Sequence, residues 1–197
     1  MAVSVRTLTP AAGLADHLDG LAALRLRVFH DWPYLYDGSE PEERKYLSVF
    51  AASKGAVCIA AFDGDAMVGA STGLPLADEH DEIKQPFVDA GIPVANIFYC
   101  AESVLLPDYR GQGLYRQFMD RREAHARRLG GFDTVVFCGV VRPDDHPLKP
   151  ADAKPLDGVW RHFGYEADER LVCHFAWKDR DRDEETAKPL KFWLKAL

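Results

Sequence analysis

The sequence predicts a single α/β domain in which a mixed, mostly antiparallel sheet is flanked by helices. Three observations carry that expectation. Residues 3–8 alternate like a strand and run into a Leu- and Ala-rich helical segment, Asp63-Gly64-Asp65 joins two short apolar runs with the composition of a tight turn, and residues 96–141 read as strand, helix, strand. A chain of 197 residues that is 47% apolar can bury one sizeable core, so residues 1–197 are expected to form one domain.

Each element has a local reason. Thr9 followed by Pro10 supplies a cap and a first helical residue for the segment running towards Phe29. Ser39 with Glu42 three residues on makes a capping box, and Tyr46, Leu47, Val49 and Phe50 give the second helix an apolar face before Gly55 stops it. Residues 56–62 and 66–74 form the hairpin around Asp63-Gly64-Asp65. An acidic, proline-punctuated segment follows over residues 77–93, with no element assigned to it. Residues 96–106 read as one long strand, 113–129 as a helix and 134–141 as a second strand. Pro143, Pro147, Pro150 and Pro155 mark residues 142–155 as an ordered, irregular loop of a length that often serves function. A short helix over 156–163 ends at Gly164, and residues 169–178 with 190–195 are expected to close the sheet as a strand pair.

Composition narrows the function classes. The formal charge of -7 arises from acids and bases mixed along the chain, a surface field that disfavours phosphate backbones, so nucleic acid is not an expected partner. No stretch approaches the roughly 20 uninterrupted apolar residues that span a bilayer, and residues 1–6 lack an apolar signal core with a basic flank. A cytoplasmic location without membrane attachment is therefore expected. Cys58, Cys100, Cys138 and Cys173 lie far apart in apolar, strand-like runs, which suits reduced buried thiols better than disulfides or zinc. Asp144, Asp145 and His146 lack the spaced partners a metal site requires, so no metal is expected.

The sharpest feature is a strand that feeds through a basic, double-glycine turn into a helix over residues 104–115. Glycines let the backbone turn tightly beside a ligand, and the first amides of the helix with its positive dipole end favour phosphate oxygens. Arg110 and Arg116 flank the turn with further positive charge. A P-loop would need Gly-Lys-Ser/Thr here, and a dinucleotide fingerprint would need a small residue where Arg116 stands.

Residues 105–114, Leu-Leu-Pro-Asp-Tyr-Arg-Gly-Gln-Gly-Leu, resemble motif A of the GCN5-related N-acetyltransferases, the GNAT superfamily, whose core pattern is Arg/Gln-x-x-Gly-x-Gly/Ala. Arg110, Gly111 and Gly113 match, whereas Tyr115 stands at the terminal Gly/Ala. The order of elements follows the superfamily across most of the chain. The resemblance implies acetyl-CoA as co-substrate, its pyrophosphate held around Arg110, Gly111, Gln112, Gly113, Leu114, Tyr115 and Arg116. It implies a splayed strand pair at the cofactor site, with the pantetheine arm on backbone groups of Val104 and Leu105, and direct transfer of acetyl to the amine of a small-molecule acceptor.

For the chemistry, the resemblance points to Glu102, a carboxylate interrupting the strand just before the turn, as base; the plainer expectation is that it points to solvent or pairs with an arginine such as Arg142. Trp160 stands where the family has an acid tyrosine, with His162 and Tyr165 nearby. Trp32, Tyr34 and Tyr36 fall between the first two helices, where the superfamily builds its acceptor pocket, and Arg142 is expected to grip an acceptor carboxylate from the opposite wall. Trp160 and Tyr115 also motivate a different class, a non-catalytic acyl-CoA-binding sensor or interaction module. Residues Phe192, Trp193 and Leu194 would offer a surface for a homodimer if they form an exposed edge strand, the alternative being that they sit in the core.

Overall fold

The computed structural model of the chain describes residues 3–197; Met1 and Ala2, which open the stretch lacking a signal core, lie outside them. Eight strands make one sheet: β1 (Ser4–Leu8), β2 (Val57–Asp63), β3 (Ala66–Pro75), β4 (Ile97–Tyr99), β5 (Ser103–Leu105), β6 (Thr134–Val140), β7 (Glu166–Lys178) and β8 (Glu185–Ala196). Their spatial order is β1-β2-β3-β4-β6-β8-β7, with β5 paired to β3. The β4–β6 pair is parallel and the other pairs are antiparallel. The helices are α1 (Leu18–Phe29), α2 (Glu40–Ala52), α3 (Asp81–Asp89), α4 (Leu114–Leu129) and α5 (Asp157–His162). This is the expected mixed, mostly antiparallel sheet flanked by helices.

Both sheet faces are covered, which explains why β2 is a continuous apolar run. Successive side chains alternate between faces: Cys58, Ala60 and Phe62 join a core with Leu21, Leu47, Phe50, Ile83 and Phe87 from α1, α2 and α3. Val57, Ile59 and Ala61 join a second core with Leu114, Phe118 and Met119 of α4. The four cysteines are buried free thiols. At the start of α2 the Glu42 carboxylate accepts hydrogen bonds from the Ser39 amide and hydroxyl, both at 2.7 Å. Ser39→Ala is expected to cost about 1 kcal/mol in urea unfolding, the usual worth of such a cap.

Four local expectations need correction. The helix expected to begin at Thr9 and Pro10 starts as α1 only at Leu18, because the Thr9 carbonyl accepts from the Ala12 and Leu14 amides and closes a turn there. Residues 77–93 contain α3, whose Ile83 and Phe87 sit one turn apart and insert into the first core; Phe87 meets Phe192 edge-on at 4.8 Å. Packing there overrides the break that Pro86, inside the helix, would otherwise impose. The long strand over 96–106 is two short strands parted by a bulge. The Ala101 amide donates to the Thr72 carbonyl while the Thr72 amide donates to the Glu102 carbonyl, so two residues oppose one. Finally, β8 is not an edge. It lies between β6 and β7, and Phe192 and Trp193 are buried in the two cores, so that segment offers no surface for a homodimer. Among the described residues no helix is long and apolar enough to cross a membrane.

Candidate active site

The glycine turn is built by backbone conformation. Gly111 and Gly113 have φ of 75° and 76°, and a Cβ added at either would meet nothing within 4 Å. Glycine is needed there for the left-handed backbone, not for room. The turn is braced from outside: the Tyr109 hydroxyl donates to Asp63 at 2.9 Å, Gln112 Nε2 donates to the Asp108 carbonyl, and Arg110 Nε donates to the Leu105 carbonyl. Among the described residues the amides of residues 111–116 donate to no backbone carbonyl or side chain. They stand at the head of the 16-residue α4 with Arg110 and Arg116 exposed beside them. Such a turn can cradle an anion, by geometry and by dipole.

Tyr115 does not fill the cradle. Its side chain leaves the turn sideways; its hydroxyl accepts a hydrogen bond from Trp160 Nε1 at 3.1 Å and its ring meets Phe163 edge-on. Burial raises its pKa. The two departures from the family pattern, Tyr115 and Trp160, thus touch, and the large ring of one is housed by the other. Trp160 in turn lies over Gly139 of β6, where an added Cβ would come within 2.8 Å of the indole.

Beside the turn the sheet opens. β4 pairs with β6 as far as Tyr99↔Val136, and the Cys100 amide still reaches the Val136 carbonyl. Past the bulge, β5 pairs with β3 alone, while the rest of β6 pairs with β8. A gap therefore separates β5 from the end of β6. Because Glu102 bonds Thr72 and Leu106 bonds Val68, alternation turns the Val104 backbone to β3 as well. The groups facing the gap belong to Ser103 and Leu105. Of the two expected positions, Leu105 faces the gap and Val104, fully buried, does not.

The bulge fixes Glu102. From α4 the buried Arg122 donates to the Glu102 carbonyl at 3.2 Å and to the hydroxyls of Ser71 and Ser103, holding the kink from beneath. The Glu102 side chain lines a cavity of about 470 Å³ between the sheet, α1, α2 and β7. It pairs with Arg25 at 2.5 Å, not with Arg142, and Arg25 also pairs with Glu43 at 2.5 Å. Burial alone would lower the Arg25 pKa, but Glu102, then Tyr46 and Glu43, hold it above its ordinary value. The interior cluster is thus one guanidinium and two carboxylates, net negative. Burial also raises the phenols of Tyr34, Tyr46 and Tyr99, which stay protonated around it.

The expected wall residues divide. Tyr34 and Tyr36 line the cavity. Trp32 does not; its ring sits 5.3 Å from His146. Arg142 is spent: it donates to the carbonyls of Pro33 and Tyr34 and to both oxygens of Asp179, and is buried in doing so. It clamps the loop that carries Tyr34 and has no donor pair left to grip an acceptor carboxylate. Asp179, whose pKa burial would raise, is instead held low by Arg142 and Lys188. Removing its charge strands two buried cations, so Asp179→Asn is expected to cost about 3–5 kcal/mol in denaturant unfolding. Tyr165 is buried in the second core and donates to Glu123, and His162 is exposed against Arg116. Arg25, Glu43, Tyr46, Tyr99 and Trp177 line the cavity without having been singled out. The one signal for the first two is a charge on the apolar stripe of its helix, Arg25 beside Leu21 and Leu24, and Glu43 before Leu47 and Phe50.

The sequence profile of the Acetyltransferase (GNAT) family matches residues 24–150. A search among curated proteins by sequence finds no match. Among solved structures, the chain is similar to an N-acetyltransferase from Staphylococcus aureus at TM-score 0.61 and 10% identity, covering 100% of this chain and 99% of that one. It is similar to a ribosomal-protein-alanine N-acetyltransferase from Brucella melitensis at 0.60 and 15%, covering 98% and 99%. It is likewise similar to a GCN5-related N-acetyltransferase from Kribbella flavida at 0.57 and 15%, covering 100% and 98%. At such identities the structural likeness establishes the fold, and the profile, spanning most of the chain, establishes the family: this protein belongs to the GNAT acetyltransferases.

Proposed function

We propose that the protein moves an acetyl group from acetyl-CoA directly to an amine of a small-molecule acceptor. The observation that carries this reading is one of arrangement. The anion cradle at residues 110–116 and the Glu102 bulge are joined by β5, whose backbone edge borders the gap in the sheet. A ligand with a phosphate end and an extended arm can lie along that edge, with the arm's end delivered to Glu102 and the cavity behind it. Gly111, Gly113 and the amides up to Arg116 would hold the pyrophosphate, and Ser103 and Leu105 would pair with the arm.

Glu102 is the residue placed to move the proton. The phenols around the cavity are held protonated; Glu43 and Glu102 both pair with Arg25, and of the two Glu102 stands on the bulge beside the gap. The acceptor enters as an ammonium and gives one proton to Glu102, from which it passes to solvent. Uptake of that proton brings the net negative cluster to neutrality. The neutral amine then attacks the thioester carbonyl, the C–N bond forms as the C–S bond breaks, and the second amine proton neutralises the departing thiolate. Trp160, in place of an acid tyrosine, supplies no proton, which suits release of the thiol with a proton from the amine itself.

The reading is tested by following thiol release from acetyl-CoA over a panel of amines and identifying the N-acetyl product by mass. Turnover with a defined N-acetyl product supports it. Tight acetyl-CoA binding without turnover over the whole panel would instead favour a sensor or interaction module.

A further inference from the structure

We infer that the acceptor is a primary amine with an aromatic or apolar body and no carboxylate beside the amine, so that decarboxylated amines are taken and the corresponding amino acids are refused. The inference rests on the proposed function and assigns the substrate class of the same cavity.

Charge comes first. The deep end of the cavity holds Arg25, Glu43 and Glu102, one positive charge against two negative ones. Glu102 is only 7% exposed, and its Oε1 accepts no hydrogen bond from any described residue, although the residue lines the cavity. Open to the cavity and not sealed in the core, that oxygen is best satisfied by a cation with N–H groups, which an ammonium supplies. An amino acid would bring its carboxylate within a few Å of the same net negative cluster.

Among the described residues no arginine or lysine of the lining is left free inside for such a carboxylate, and the unpaired buried ring nitrogen there is His80 Nε2. Arg25 is shared between two acids, and Arg142 is closed by Asp179 and two carbonyls. Lys178 is paired with Asp37 at 2.6 Å at the rim, and Lys45 stands exposed at the mouth. The lining adds Glu42, Glu82 and Glu185 around the entrance, a field that draws cations inward.

The walls set the body of the acceptor. Phe29, Tyr34, Tyr46, Tyr99, Phe175 and Trp177 surround the space. Aromatic faces take an aromatic or alkyl body by contact and an ammonium by its charge. A volume of about 470 Å³ falls in the range of small-molecule sites.

The test uses the intact protein with acetyl-CoA and pairs that differ by one carboxylate: tyramine against tyrosine, phenethylamine against phenylalanine, putrescine against ornithine. Initial rates of thiol release give kcat/KM for each. The expected result is at least about a 10-fold advantage for the decarboxylated member, largest in the aromatic pairs, because a like-charge contact costs more than the 1.4 kcal/mol that a factor of ten represents. Glu43→Gln removes one of the two interior negative charges and is expected to shrink that ratio several-fold, which a purely structural role would not do. Equal or better use of the amino acids overturns the inference. Absence of turnover with every amine, or failure of acetyl-CoA to bind, would instead overturn the proposed function, so the two failures are distinguishable.

Discussion

Glu102→Gln is expected to lower kcat by about 10²- to 10⁴-fold while leaving the affinity for acetyl-CoA unchanged, the usual loss when a positioned base is removed. The substitution keeps the shape of the side chain and an oxygen for Arg25, and Arg25 keeps Glu43. The bulge should persist, because Arg122 holds it through the Glu102 carbonyl and not through the side chain. What is lost, on the proposed mechanism, is the site that accepts the amine proton. Steady-state kinetics with the best amine, checked by circular dichroism for folding, decides the matter. Wild-type turnover in a folded Glu102→Gln protein would remove Glu102 from the chemistry.

The second large effect is expected at the cradle. Combining Arg110→Ala with Gly113→Asp should weaken acetyl-CoA binding by about 10²- to 10³-fold. At φ of 76° a residue with a Cβ pays roughly 1–2 kcal/mol, and the loss of a charge-assisted contact adds about 1.5–3 kcal/mol. The new carboxylate also stands where the phosphate oxygens are proposed to lie. Space is not the issue, since the site is open around Gly113. Because the turn is exposed and braced by Tyr109 and Gln112, the fold should survive and the loss be confined to binding.

Much of this was legible in the sequence where one short segment decides its own structure. The capping box of Ser39 and Glu42, the turn at Gly64 and the glycine turn at 111–113 are local devices, and each stands where its residues put it. The helix α3 is hidden in the sequence because Pro86 speaks against a helix locally, while Ile83 and Phe87 gain by packing that only the sheet provides. The bulge at Ala101 and Glu102 was hidden because it depends on Thr72 and Arg122, distant in sequence. Glu102 itself stood out as a charge in a strand, but its partner did not. Arg25 comes from α1 and reads in the sequence as one more charge in a helix, whereas Arg142 reads as available although Asp179, distant in sequence, closes it. The aromatic cluster gave Tyr34 and Tyr36 and missed Tyr46, Tyr99 and Trp177, which three separate elements bring to the same space.

The most direct test of the central claim is a calorimetric titration of the purified protein with acetyl-CoA, with free CoA and NAD as controls, beside the Arg110→Ala/Gly113→Asp variant. The account predicts binding of acetyl-CoA and CoA near micromolar strength, none of NAD, and loss of both in the folded variant. A wild-type protein that binds no acetyl-CoA, or a variant that binds it as tightly, would contradict the claim that the glycine turn is the cofactor's cradle.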